Sequence, residues 1–235
     1  MASPLRLLDG GLGAPGPERF SQRAAVVDAA LRCLARQGVA KTTADDVARE
    51  AGMSRATLYR TFPGGKDAVL RAVVDTEVAR FFSGLAVVMG EAHDVEDVLV
   101  DGMVEAARRL EGHQALAYLL EHEPQVVLPH LAFDALDQVL ATAGAFVAPF
   151  FARWLEPEQA ARAAEWAVRL VVSYQTCPTS GTDLRRPEDA RRLVRRFVLP
   201  GIEALRASEV ADLAAATDLD QLDDPASGPT KGAQP

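Results

Sequence analysis

Two guanidinium groups, a methyl group and a hydroxyl follow one another closely after Ser54. They belong to Arg55, Ala56, Thr57 and Arg60. A guanidinium can donate two hydrogen bonds to one guanine, while methyl and hydroxyl groups suit thymine and several other base edges. A helix that presents such side chains near its N-terminal end can read base pairs in the major groove. We therefore interpret this segment as a candidate DNA-reading element.

A glycine pattern near the start of the chain matches the spelling of a dinucleotide-binding motif. Gly11, Gly13 and Gly16 have the G-x-G-x-x-G spacing, which works only between a strand and a helix. Two prolines interrupt the helix that would have to begin there, and no second strand is predicted. We therefore expect no cofactor.

Metal and nucleophile chemistry is also poorly supported by the sequence. His113, His122 and His130 lack the His-x-x-x-His spacing, and Pro124 and Pro129 disrupt any common helix face. Cys33 and Cys177 lie far apart without neighbouring ligands, which predicts two buried free thiols. Since no aspartate-rich metal motif, nucleophile elbow or phosphate loop is visible, we expect neither a metal site nor an enzyme.

Three helices are predicted to position the candidate DNA-reading side chains. Apolar residues recur at helical spacing from Phe20 and stop at Gly38. Thr43 can cap a second, short helix with acidic residues in its first turn. The third helix follows a tight turn at Gly52 and begins after Ser54. Two short helices joined by a turn with a glycine are typical of a helix-turn-helix.

The charge of the chain is unevenly distributed. Residues 18–70 contain nine Lys and Arg against six Asp and Glu, a net charge of +3, whereas residues 71–235 contain 15 against 26, a net charge of −11. The overall charge of −8 therefore hides a mildly basic N-terminal unit. Such a unit is compatible with binding to a nucleic acid.

The remainder of the chain is also predicted to be helical. Apolar residues at helical spacing mark a long helical region over residues 126–155, which Pro129 and Pro149 are expected to bend. Two amphipathic helices over 158–176 and 188–206 close the fold. No segment alternates with the period of a strand, so the predicted fold class is all-α. The acidic tail, rich in Pro, Gly and Ser, is expected to be disordered.

A series of residues spaced along positions 23–62 resembles the DNA-binding domain of the TetR family of transcriptional regulators. The matching residues are Ala29-Ala30-Leu31, Gly38, Thr43, Asp46-Val47-Ala48, Ala51-Gly52-Met53-Ser54, Thr57-Leu58-Tyr59 and Phe62. Leu34 and Val39 depart from the family, in which aromatic residues are common there, and the turn from Pro63 to Lys66 is one residue longer than the usual form.

The resemblance implies a three-helix DNA-binding domain followed by a helical ligand-binding and dimerisation domain. The expected units are an N-terminal arm (1–17), the helix-turn-helix domain (18–65), the ligand-binding and dimerisation domain (66–208) and the acidic tail (209–235).

Thr43, Tyr59 and Lys66 match positions that hold phosphates in the family. The expected DNA-binding residues are Thr43, Ala44, Arg55, Ala56, Thr57, Tyr59, Arg60 and Lys66. Alternatively, Thr43 is only a cap, Tyr59 only a packing aromatic and Arg60 only a solvated side chain.

The C-terminal residues have two expected roles. Residues that could line an effector pocket, or simply form the core, are Phe81, Met103, Tyr118, Phe133, Phe146, Phe150 and Trp166. In the family the last two long helices pair with those of a second copy. Residues expected in that interface, unless they complete the monomer core, are Trp166, Leu170, Tyr174, Leu193 and Phe197. The arginine cluster 191, 192, 195 and 196 is interpreted as a solvated helix face.

The sequence therefore predicts a cytoplasmic transcriptional repressor that binds a palindromic operator as a homodimer and is released by a small, apolar effector. The expected partners are double-stranded DNA, the effector and a second copy of the chain, but no membrane, because the longest apolar stretch is too short to span one. The alternative is a similar DNA-binding protein whose C-terminal domain binds a protein partner or no effector.

Overall fold

The computed structural model describes residues 17–127, 133–204 and 207, without the side chains of residues 17–20 and 133–136. Within these ranges the regular elements are helices, and one isolated bridge joins Thr179 to Thr182. The all-α prediction is therefore confirmed. The α-helices are α1 (Pro17–Lys41), α2 (Ala44–Glu50), α3 (Arg55–Thr61), α4 (Gly65–Gly90), α5 (Val95–Gly112), α6 (Gln114–His122), α7 (Pro124–Val127), α8 (Phe133–Val147), α9 (Pro157–Thr176) and α10 (Pro187–Leu193).

The first hydrophobic core holds α1, α2 and α3 together. Leu58 and Phe62 are 0% and 2% exposed and form its centre, which explains why one face of the short helix α3 is anchored. The core also includes Val69 and Val73 from the start of α4, and Ala115 from the start of α6. The helix-turn-helix is therefore packed against two helices that continue into the rest of the molecule.

The second hydrophobic core joins α4, α5, α9 and α10. Val98, Met103, Phe151 and Ala164 are all at most 2% exposed within it. Helix α4 contributes Leu85 and other residues of its second half to this core, whereas its first half belongs to the first core. One continuous helix thus connects the two cores.

Prolines interrupt two of the predicted helical regions, one at the expected bend at Pro149 and the other ahead of Pro200. Within 126–155, α8 ends at Val147 and a 3₁₀ turn that contains Pro149 follows over Ala148–Phe151. Within 188–206, α10 passes into a wider, π-type turn over Val194–Val198 before the helix resumes. Pro200 has no N–H to donate, and its ring crowds the carbonyl four residues earlier, which explains the wider turn.

The expected N-terminal arm and acidic tail lie outside the described residues, except that Pro17 already begins α1. Of the two thiols predicted to be buried, only Cys33 is, because Cys177 lies exposed at the end of α9.

Candidate nucleic-acid interface

The N-terminus of α2 is fixed by a reciprocal cap. The Thr43 hydroxyl accepts a hydrogen bond from the backbone N–H of Asp46 at 3.1 Å and donates to the Asp46 carboxylate at 2.6 Å. The carboxylate also accepts from the Thr43 backbone N–H at 3.0 Å. These hydrogen bonds from Thr43 lower the pKa of Asp46 below its ordinary value. Thr43 is therefore a cap in the free protein, and its predicted phosphate contact would have to share this hydroxyl.

The prediction of a DNA contact by Ala44 does not extend to its side chain. Ala44 is 8% exposed and its methyl group packs into the first core. The side chain points inward because α2 must bury this face against α1 and α3.

Helix α3 presents most of the predicted base-reading residues on one solvent-exposed face. The Ser54 hydroxyl caps the helix by accepting from the Thr57 N–H at 3.1 Å, and the two hydroxyls lie 2.9 Å apart. Because Leu58 is fully buried on the opposite face, side chains at other positions turn to solvent. Exposed residues on this helix include Arg55, Ala56, Tyr59 and Arg60, while Thr57 is half-buried.

Arg55 has two partners in the free protein. Its Nε lies 3.1 Å from a carboxylate oxygen of Asp45 on α2, and its guanidinium carbon lies 5.5 Å from the centre of the Tyr59 ring. Hydrogen bonding with Tyr59 and the charge of Asp45 raise the pKa of Arg55 above its already high ordinary value. The Asp45 carboxylate therefore engages two of the five N–H donors of Arg55 and competes with a base edge for them.

The ring of Tyr59 lies against the first residue of α4. Gly65 has a φ of +60°, and a Cβ at this position would lie only 2.8 Å from the ring carbon Cε1. Only glycine allows this backbone conformation together with so close an approach. Sequence reasoning assigned Gly65 to a helix break and missed that it seats Tyr59, which remains 41% exposed.

Lys66 lies near the beginning of α4 and points toward the end of α1. Its ammonium donates a hydrogen bond of 2.6 Å to the carbonyl of Val39. An ammonium has three donors, so this bond leaves two for other acceptors. The predicted phosphate contact of Lys66 stays a prediction, but the structure adds a role in fixing the turn before α2.

Helix α2 is fastened to α1 by a carboxylate that sequence reasoning did not identify. Glu50 accepts from Arg32 at 2.7 Å and from Arg36 at 2.6 Å. The hydrogen bonds from Arg36 and Arg32 lower the pKa of Glu50 to about 2. Arg32 and Arg36 lie on α1, whereas Glu50 lies at the end of α2, 18 and 14 positions later in the sequence. Only the folded chain therefore reveals their contact.

The structure brings together three of the seven residues predicted to bind an effector. Phe81 and Phe146 each contact Phe82, with ring centres 5.4 and 4.4 Å apart, and Phe146 contacts Phe150 at 5.5 Å. We call these four residues the aromatic cluster. It joins α4 to α8 and the following 3₁₀ turn.

Among the contacts that the structure describes, none links the other predicted effector residues to the aromatic cluster. Met103 is packed in the second core, Tyr118 stacks on His122 with ring centres 4.2 Å apart, and the side chain of Phe133 lies outside the description. Trp166 is 61% exposed, so the prediction that it lines a pocket is not supported within one chain. Two surface grooves of about 600 and 360 Å³ are instead lined largely by charged residues of α4, α5 and α10.

The predicted dimerisation residues divide into two groups. Trp166 and Phe197 are 61% and 69% exposed, although both are large and apolar. Leu170 and Tyr174 are half-buried against the second core, and Leu193 is 5% exposed inside it. Leu193 therefore fits the alternative that these residues complete the core of the monomer, and its part in an interface stays a prediction.

Three of the four arginines of the cluster 191, 192, 195 and 196 are held by carboxylates. Arg191 and Arg195 contact Glu96 on α5 at 2.8 and 2.9 Å, and Arg192 contacts Asp189 at 2.6 Å. These ion pairs agree with the interpretation of the cluster as a solvated helix face. In the described residues there is also no helix long and apolar enough to cross a membrane, and no group of His, Cys, Asp and Glu suited to a metal ion.

Comparison with known proteins finds a family model that matches the helix-turn-helix region. Residues 26–73 match the family model of bacterial regulatory proteins, tetR family. The chain is also 26% identical over 175 residues to an HTH-type transcriptional regulator of Mycobacterium tuberculosis that is described as uncharacterized. That alignment covers 74% of this chain and 82% of the relative.

Solved structures share the fold at low sequence identity. The TetR family repressor AlkX of a Dietzia strain, implicated in biodegradation of n-alkanes, has a TM-score of 0.55 at 24% identity and covers 79% of this chain and 97% of its own. A tetR-family regulator from Streptomyces coelicolor has a TM-score of 0.55 at 18% identity, with 89% and 92% covered. The fatty acid degradation regulator FadR of Bacillus halodurans has a TM-score of 0.51 at 20% identity, with 79% and 98% covered.

Proposed function

Since the chain is a transcriptional regulator of the TetR family, we propose that it is a repressor that binds a palindromic operator as a homodimer and leaves it when a small, apolar effector binds. The observation that carries this proposal is the exposed face of α3, on which Arg55 and Arg60 are held by a capped helix-turn-helix. Guanidinium groups on a helix of this kind are suited to guanine in the major groove.

The exposed apolar residues of the last helices support the homodimer. Trp166 and Phe197 leave large apolar side chains in water, which is unusual for a monomer and typical of an interface centre. Two chains joined through these helices would present two α3 helices to one operator. Their centres must lie about 34–36 Å apart to enter successive major grooves.

The aromatic cluster and α4 support control by an apolar effector. The cluster lies where α4 meets α8, and α4 also packs Val69 and Val73 into the first core. A molecule that separates the rings of the cluster would tilt α4 and thereby move the helix-turn-helix. Binding is linked in both directions, so the operator must weaken effector binding by the same factor, typically about 5- to 150-fold.

A C-terminal domain that binds a protein partner or no effector is the second candidate. It is favoured by the two surface grooves, since both are lined by charged side chains rather than by the aromatic cluster. Native mass spectrometry of the protein purified from cell extract distinguishes the candidates. A retained small molecule supports effector control, whereas a retained protein or no added mass favours the second candidate.

Selection of bound fragments from genomic and random DNA tests operator binding directly. We expect a palindromic consensus and a log–log dependence of affinity on salt with a slope of roughly −4 to −8, because several phosphates are neutralised per dimer. Equal affinity for every sequence, or a slope near zero, would contradict the proposal.

A further inference from the structure

Helix α1 is broken at Gly38, and its last residues form a turn that leads to α2. Polar groups of this turn are bound by residues from outside the helix-turn-helix. Gly38 has a φ of +76°, and the chain then makes one more helical turn before the Thr43 cap of α2. We call residues 38–42 the 38–42 turn. Its geometry sets how α2, and with it α3, is oriented on α1.

The carboxylate of Glu123 binds this turn from the junction of α6 and α7. It accepts hydrogen bonds from the backbone N–H of Val39 at 2.8 Å and of Ala40 at 3.1 Å, although these residues lie more than 80 positions away in sequence. Glu123 is only 8% exposed. A Cβ at Gly38 would overlap the carboxylate, so the glycine also provides the space that the carboxylate occupies.

Two carbonyls and a hydroxyl of the turn are engaged as well. Lys66 on α4 donates to the Val39 carbonyl, and the buried Thr42 hydroxyl donates to the Gly38 carbonyl at 2.6 Å. The two backbone groups of Val39 are thus bound by residues from α4 and from the α6–α7 junction. Removing a buried acceptor of this kind leaves N–H groups unsatisfied, which is costly.

Helix α6 connects Glu123 to both halves of the molecule. Ala115 at its start lies in the first core, and α5 immediately before it lies in the second. His113 at the α5–α6 junction accepts from the Leu116 N–H at 3.0 Å and contacts Glu77 on α4 at 2.9 Å. A displacement of α6 or α7 must therefore move the Glu123 carboxylate relative to the turn.

We propose that Glu123 is a positioning residue for operator binding: its carboxylate holds the 38–42 turn in the orientation that DNA requires, and the C-terminal domain controls operator affinity through it. This inference rests on the proposed function. It assigns a regulatory contact to a residue that touches neither DNA nor effector.

The test compares the full-length wild type with Glu123→Ala and Glu123→Gln, and with Glu121→Gln as the matched control. Glu121 lies two positions earlier, in the last turn of α6, and its side chain is 78% exposed, with the His122 ring 3.9 Å away. Hydrogen exchange of the segment containing Val39 and Ala40 reports on the turn without DNA. Fluorescence anisotropy with the selected operator reports on binding, and thermal melts identify any variant that fails to fold.

In Glu123→Ala we expect the amide hydrogens of Val39 and Ala40 to exchange at least about tenfold faster than in the wild type, because their acceptor is lost. The operator affinity of this variant should fall about 5- to 50-fold, within the usual range of coupling between sites. Glu123→Gln, which keeps one acceptor oxygen, should lie between Glu123→Ala and the wild type in both measurements, and Glu121→Gln should match the wild type. Operator DNA should also slow exchange at Val39 and Ala40 in the wild type.

Two results would overturn the inference. Unchanged exchange in Glu123→Ala means that the carboxylate does not hold the turn, and faster exchange with unchanged operator affinity means that the contact is only structural. A wild type that selects no operator sequence refutes the proposed function instead. Exchange at Val39 and Ala40 then still decides whether Glu123 holds the turn.

Discussion

Arg55 is already engaged before any DNA is bound. In the free protein its guanidinium is paired with Asp45 and lies beside Tyr59. Both Arg55 and Asp45 have side chains that are more than half exposed, so water screens their attraction. The pair therefore competes with DNA only weakly, but it holds the guanidinium against α2 until DNA replaces the carboxylate.

Asp45→Asn should raise operator affinity roughly 2- to 10-fold, because it frees Arg55 and removes a negative charge close to the expected phosphates. The control is Asp75→Asn, which makes the same charge change at another exposed position on α4. Anisotropy titrations at one salt concentration measure both. An equal gain in the control would show a general charge effect rather than competition for Arg55.

Arg55→Ala should relax the preference for bases within the operator and weaken each half-site roughly 5- to 150-fold, if the guanidinium grips a guanine. Tyr59→Phe removes only a hydroxyl and should weaken all sequences alike. Binding to a panel of single-base operator variants compares the two. An unchanged ranking of the panel in Arg55→Ala would remove Arg55 from base readout.

The orientation of α2 on α1 depends on the carboxylate of Glu50. Glu50 receives hydrogen bonds from two arginines of α1, which lower its pKa from an ordinary 4.5 to about 2. A carboxylate whose pKa is lower in the folded state stabilises the fold above the unfolded pKa. That contribution must be lost as the pH falls from 4.5 toward 2.

Glu50→Gln should therefore destabilise the protein at pH 7, and its difference from the wild type should shrink as the pH falls from 4.5 to about 2. Urea unfolding at a series of pH values measures the difference. Glu121→Gln, whose carboxylate is exposed, should follow the wild type throughout. A difference between Glu50→Gln and the wild type that does not change with pH would mean that the titration of Glu50 is not involved.

Local signals allowed the caps and short helices to be predicted from sequence. Thr43 and Ser54 act as caps where a hydroxyl precedes a short amphipathic helix, because the hydrogen bonds involved span only three residues. Contacts between distant elements gave no such signal. Glu50 and Glu123 look like ordinary surface carboxylates until the folded chain brings them to their partners.

Burial within an amphipathic helix was predicted less well than the helix itself. Leu193 and Phe197 belong to the same apolar pattern, yet one is 5% exposed and the other 69%. Hydrophobic spacing identifies the face but not which surface covers it. Deciding between monomer core and interface therefore required the position of α5 and α9.

At the scale of the whole molecule, Trp166→Glu and Phe197→Glu should each convert the proposed dimer into monomers. Each places a charge in an apolar interface twice, once per chain, so the dimer dissociation constant should rise at least about 100-fold. Val87→Glu is the matched control, since Val87 is as exposed as Trp166 but lies on α4. Sedimentation equilibrium measures the association, and dimers in both interface variants would place the interface elsewhere.

The helix shared between the two cores restricts how this regulator can acquire a new DNA preference. Consider a hybrid in which the helix-turn-helix of another protein replaces residues up to about 65. Its first core would then be completed by Val69, Val73 and Ala115 of this chain, which are not matched to it. Each mismatched large side chain costs about 1.5–3 kcal/mol against a typical total of about 5–15 kcal/mol. Recombination at residue 65 should therefore lower the stability of the hybrids, whereas substitutions on the exposed face of α3 leave this shared core intact.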